Sequence, residues 1–350
     1  MEKVIAGKNL SDAFYIIKAL GIIMMVITHT DSPFYNFPYL FIMPLFFIVS
    51  GFFFKPAYVD NKKQFIIKRI KRLYLTFLFW NILFLIFHNC LYTIGLNSTE
   101  YSVADYLRHG IKIALFTRME PLLHPLWFLK SLFFGSLIVL AVLWLQKRCR
   151  LKNAVVSAVF FALLCAGFLI KKSYGAFTYD IHRELIVPSI IYLGIIFSRY
   201  KSKLLRPNIT AAIICFCVIL LCSRYFTFEL IAAEIVDPIV FIVLASAGFY
   251  MVYCVSLYML RCGKLANVFV YIGKHTMTIL ILHLISFKIL SLILLHCFGV
   301  PHDAIRLDYP IGNGLYEYGW IGYSAVGVSL PLLCSLILEK SRVFITRIFQ

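Results

Sequence analysis

Apolar runs about as long as a bilayer core is thick recur along the whole chain, most of them bounded on one side by a short cluster of Lys and Arg. This pattern predicts membrane-spanning helices at residues 14–30, 38–54, 73–94, 126–146, 153–170, 185–198, 209–223, 238–260, 275–297 and 319–338, the sixth and seventh being short. Lys and Arg are about threefold more numerous in one set of alternate connections, which the positive-inside rule assigns to the cytosol. An odd number of spans would spoil that alternation. The expected fold is therefore an all-α polytopic membrane protein, a bundle of about ten transmembrane helices with both termini cytosolic. No connection exceeds about thirty residues, so residues 1–350 read as a single integral-membrane domain with no appended soluble one.

The longest connection on the other side holds a second periodicity. Val103, Tyr106, Leu107, Gly110, Ile111, Ala114 and Leu115 follow i, i+3, i+4 spacing, opposite Asp105, Arg108, His109 and Lys112. A helix lying in the membrane interface is expected there, either as a roof over an outward-facing cavity or as a plain surface anchor.

Composition agrees with this class: 61% of residues are hydrophobic and 14% charged, and mean hydropathy is +0.87. The net charge of +18 lies in clusters between apolar runs. Topology and lipid head groups explain it better than nucleic acid, which is not an expected partner. The ten cysteines fall mostly inside apolar runs without ligand-like spacing, so they read as small buried hydrophobes and no metal site is expected. The first run lacks a small-residue cleavage site and reads as a retained anchor.

Ionisable groups inside apolar runs are the candidates for chemistry. Lys18 and His29 are eleven residues apart, within about 20° of three whole turns, so they share a helix face with a rise of about 16 Å between them. A lone helical histidine is more often a packing residue, but this alignment and depth favour function. A neutral imidazole can take a proton from a hydroxyl, the task of a general base in acyl transfer. Lys68, Arg69, Lys71 and Arg72 crowd the cytosolic start of the third run. Topology alone can collect such bases, but paired guanidinium groups also suit the phosphates of a nucleotide-bearing cofactor. Pro44 is expected to kink the second span, and Ser50-Gly51 to admit a close neighbour or a ligand. Trp127 suits either an interfacial aromatic belt or a substrate site, and His283 is a second intramembrane histidine that can face the cavity of His29. All sixteen acids lie outside the apolar runs or at their margins, which leaves no buried carboxylate for a proton-driven relay. No P-loop, H-E-x-x-H or G-x-S-x-G motif is present.

Taken in order, Lys18-x10-His29, the MPLFFIVSGFF run from Met43, Arg69-x-x-Arg72, Trp127-Phe128-Leu129 and the GKHTMTILILH segment ending at His283 resemble the membrane acyltransferase-3 family, and within it the branch related to fucose 4-O-acetylase. The likeness covers nearly the whole chain. It implies an inner-membrane O-acetyltransferase that takes an acyl group from cytosolic acetyl-CoA to a hydroxyl on a surface or lipid-linked carbohydrate. It also implies His29 as the catalytic residue with Lys18 as its partner, and Arg69 and Arg72, flanked by Lys68 and Lys71, near the CoA donor. Ser50, Trp127 and His283 are then candidates for the substrate cavity. The chain departs from the family pattern at Tyr15, where an Asp is frequent, and at Ile42, where a His is frequent. The first removes an expected salt bridge to Lys18, and the second leaves His29 or His283 to do the proton work. A polysaccharide or lipid-linked-sugar exporter without acyl transfer is the alternative.

Overall fold

A computed structural model describes residues 8–30, 32–174, 180–226, 237–298 and 318–348. Among them the secondary structure is helical without strands. The order is α1 (Lys8–Thr28), α2 (Asn36–Tyr39), α3 (Ile42–Phe52), α4 (Ala57–Asp60), α5 (Lys62–Arg69), α6 (Leu75–Ile86), α7 (His88–Thr93), α8 (Val103–Ala114), α9 (Trp127–Cys149), α10 (Asn153–Tyr174), α11 (Ile181–Arg199), α12 (Lys201–Leu204), α13 (Ile209–Cys222), α14 (Pro238–Met259), α15 (Lys264–Lys274), α16 (Thr276–Phe298) and α17 (Gly319–Ile348).

Each of the ten apolar runs is helical. Among the described residues seven stretches, 10–28, 121–149, 153–174, 181–199, 238–259, 276–297 and 319–339, are long and apolar enough to cross a bilayer, so the chain is a multi-pass membrane protein. The other three are shorter or broken. The second run splits between α2 and α3 ahead of Pro44, the third splits at Phe87 between α6 and α7, and α13 has 14 residues. At 1.5 Å per residue, 14 residues span about 21 Å.

The chain divides into two compact units. The first comprises Met1–Ile17, Asn36–Thr76 and Phe128–Cys262. Within it α11 packs along α3 and α10, while α14 packs on α13 and α3. The α3–α11 crossing is close because two glycines meet it: a Cβ on Gly51 would lie 1.8 Å from the Ile191 carbonyl oxygen, and one on Gly194 would lie 2.1 Å from that of Ile48. The close neighbour expected at Ser50-Gly51 is thus helix α11. Backbone cannot yield as a flexible side chain does, so Gly194→Val is expected to destabilise the protein by about 3 kcal/mol, the upper end for overpacking. A thermal midpoint in detergent measures this.

The second unit comprises Lys18–Tyr35, Phe77–Trp127 and Gly263–Gln350. Here α16 packs against α17, α15 and a 3-10 turn, Pro121–Leu126. The expected interfacial helix is α8. Ser102 and Asp105 form a reciprocal capping box at its start, which explains why the helix begins there. Its orientation is informative. His109, on the polar side of the sequence pattern, is 8% exposed, whereas Val103, Leu107 and Leu115 are 88%, 69% and 68% exposed. An apolar stripe turned away from the protein is what a helix resting in lipid requires.

Candidate functional site

Helix α1 ends at Thr28, so His29 lies in the turn just beyond it and not in the helix interior. Lys18 sits at the middle of the helix. The end is tightened by i→i−3 bonds. The His29 N–H donates to the Val26 carbonyl and the Thr30 N–H to that of Ile27, each at 3.1 Å. Thr28 and Thr30 hydroxyls donate to the Met25 and Ile27 carbonyls at 2.7 and 2.8 Å. Carbonyls left over at a helix terminus are thereby satisfied, and the turn carrying His29 is held in place. A hydroxyl pair, Thr30 with Ser324 at 3.2 Å, ties this turn to α17.

His283 of α16 lies beside it, with ring centroids 5.3 Å apart and planes inclined by 39°. His29 is half-buried and His283 fully buried. The Nδ1 of His283 is 3.0 Å from the carbonyl oxygens of both Ile279 and Leu280. Carbonyls only accept, so Nδ1 carries the hydrogen. In the neutral ring Nε2 is then a bare acceptor, and it is buried without a hydrogen-bond partner. His124, in the 3-10 turn that packs on α16, is an exposed electrostatic neighbour of His29. The structure therefore gathers three imidazoles from distant parts of the sequence, one of them with its tautomer set and its lone pair unspent. Such a site can accept a proton from a hydroxyl. Trp127, which follows the same turn, is buried.

The other candidates belong to the first unit. Ser50 is half-buried on α3. The basic residues sit where α5 runs into α6 through one π turn, Ile70–Tyr74, a wider winding that recurs at functional sites. Arg69 is half-buried over the Phe65 ring at 4.8 Å, and Lys68 donates to the Tyr58 hydroxyl at 3.2 Å. Lys71 and Arg72 are exposed. Burial pulls the Arg69 guanidinium down to about 10, with Tyr58 opposing and Arg72 adding to the shift. It stays charged at neutral pH, and a cation partly stripped of water beside a like charge gains from an arriving phosphate.

Two buried polar clusters were not singled out by sequence. In the second unit His88 places Nδ1 2.7 Å from Glu120 Oε2 and Nε2 3.0 Å from the Thr99 carbonyl oxygen. Tyr101 stacks on the His88 ring at 3.3 Å, and Asn81 Oδ1 accepts the Glu120 N–H at 2.8 Å. Burial pushes the Glu120 carboxyl up, and the hydrogen bond with His88 pulls against it. In the first unit Arg183, 2% exposed, donates to Ser131 Oγ at 3.0 Å and pairs with Asp180 at 2.9 Å, while Ser131 donates to Glu184 at 2.9 Å. Carboxylates at the margins of the apolar runs can thus be buried, which the sequence pattern of acids did not show.

No curated protein and no solved structure matches the chain significantly. A family model described as an acyltransferase domain matches residues 12–340, which spans every candidate residue above. With an imidazole site suited to proton abstraction inside that matched range, the chain belongs to the acyltransferase-3 family and is a membrane acyltransferase.

Proposed function

We propose that this acyltransferase moves an acetyl group from cytosolic acetyl-CoA to a hydroxyl of a cell-surface or lipid-linked carbohydrate. It would do so in the inner membrane, as a ten-span bundle of the fucose 4-O-acetylase-like branch with both termini cytosolic. The observation that carries this reading is the pairing of His29 with a His283 whose Nε2 is buried and unpartnered.

An acceptor hydroxyl hydrogen-bonded at this pair gives its proton to His29, and its oxygen attacks the thioester carbonyl. The tetrahedral intermediate expels the CoA thiolate, which takes the proton back from the imidazolium. His283, its Nδ1–H held by two carbonyls, orients the sugar by accepting a hydrogen bond from a second hydroxyl on its free Nε2 lone pair. Lys18 supports the site electrostatically from its own helix. Arg69 and Arg72, assisted by Lys68 and Lys71, hold the CoA phosphates. Trp127 is the acceptor-binding candidate of the second unit and Ser50 that of the first.

Reconstituted protein supplied with acetyl-labelled CoA and the native glycan tests the reading: label is expected on the glycan, and its absence with correctly folded protein rejects it. Arg69→Glu with Arg72→Glu is expected to raise the KM for acetyl-CoA about tenfold or more, with a smaller change in kcat. Lost charge-assisted hydrogen bonds of this kind are worth about 1.5–3 kcal/mol each. An exporter would translocate glycan equally well with both charges reversed.

A further inference from the structure

A recess of about 250 Å³ in the first unit is lined by Phe54, Pro56, Val59, Asp60, Leu143, Gln146, Lys147, Ile195 and Arg199. Its position is notable in the sequence: the lining comes from the segment after α3, the end of α9 and the end of α11. These adjoin three connections rich in Lys and Arg that the charge pattern assigns to the cytosol. Phe54, Leu143 and Ile195 are buried and make an apolar floor, whereas Lys147 and Arg199 at the rim are exposed.

The polar rim is already organised. Lys147 pairs with Asp60. Asn153 Oδ1 accepts from Gln146 Nε2 at 2.9 Å and from Arg199 Nη1 at 3.2 Å, so one amide holds both side chains. Arg199 spends one of its five donors on that contact. Lys62 lies 4.2 Å over the Trp144 ring, bringing the start of α5 against the end of α9. The floor also connects to the basic patch: Phe54 packs on Phe65 at 5.5 Å between ring centroids, and Arg69 stacks on the same Phe65. One aromatic cluster therefore has the recess at Phe54 and the guanidinium of Arg69 at Phe65.

We infer that this recess is the binding site for the adenosine 3′,5′-bisphosphate end of the CoA donor. The apolar floor suits the faces of a purine, the Gln146 amide and the Asp60 carboxylate suit its polar edge, and the cations of the rim suit phosphate oxygens. The assignment rests on the CoA reading above and adds which residues read the nucleotide: Val59 and Leu143 for the base, Arg199 and Lys147 for phosphate.

The test uses the full chain in nanodiscs with three probes: acetyl-CoA, adenosine 3′,5′-bisphosphate and S-acetylpantetheine. Val59→Trp fills the recess, and Arg199→Ala removes an exposed cation without touching the packed interior. Each is expected to weaken acetyl-CoA and the bisphosphate about tenfold or more while leaving S-acetylpantetheine unchanged, with an unaltered thermal midpoint as the check on folding. If the wild type binds acetyl-CoA and Arg199→Ala binds both nucleotide probes equally well, the recess assignment is overturned and the CoA reading stands. If the wild type binds none of the probes, both fall.

Discussion

On the proposed function, His29→Ala is expected to lower acetyl transfer by about 10²- to 10⁴-fold, the contribution of a positioned general base, with acetyl-CoA binding retained. The expectation comes from where the turn puts the ring. His29 follows the last residue of α1, at the carbonyl end of a 21-residue helix, where the helix dipole favours positive charge. An imidazolium forming as the hydroxyl loses its proton meets that field. Alanine removes the base and leaves the backbone bonds of the turn intact, so folding is preserved and the loss falls on kcat. Single-turnover transfer from labelled acetyl-CoA reads the effect, and an undiminished rate rejects the role. His283→Ala separates the two rings: as an orienting residue it is expected to raise the KM for the acceptor more than it lowers kcat.

The second large effect is on stability. His88 and Glu120 are buried together, with side chains 0% and 2% exposed, and both His88 nitrogens meet acceptors. The pair therefore holds a proton between ring and carboxyl in addition to the one donated to Thr99. His88→Ala strands the carboxyl in a dry site. Breaking a buried pair costs about 3–5 kcal/mol, and the lower end applies because Glu120 can take up a proton. The double variant His88→Leu, Glu120→Leu is expected to recover most of the loss, since two apolar side chains leave no uncompensated buried charge. Denaturation of the purified single and double variants measures both. The consequence extends to the site, because Glu120 immediately precedes the 3-10 turn that carries His124.

Much of this architecture was legible in the order of apolar and polar residues. All ten runs are helices, and the i, i+3, i+4 stripe at Val103–Leu115 located α8, because periodicity reports a face that must leave water. Which face packs on protein was not legible: the burial of His109 and the exposure of Leu107 depend on what lies beneath the helix. Gly51 announced a close approach, but only coordinates identify Ile191 as the backbone it meets. At the site, spacing put Lys18 and His29 on one stripe yet could not foresee that two backbone i→i−3 bonds and two hydroxyl bonds end the helix before His29. The tautomer of His283 was invisible, since it depends on the distances to two carbonyl oxygens. Glu120 and Arg183 read as loop and margin charges because burial of a polar residue is decided by partners far along the chain.

Mass spectrometry of the surface glycan from cells with and without the gene tests most directly whether the chain acylates a surface carbohydrate. Loss of one acetyl mass per repeat, restored by the wild-type chain and not by His29→Ala, is the predicted result. A glycan of unchanged mass that no longer reaches the cell surface would contradict it and point to export.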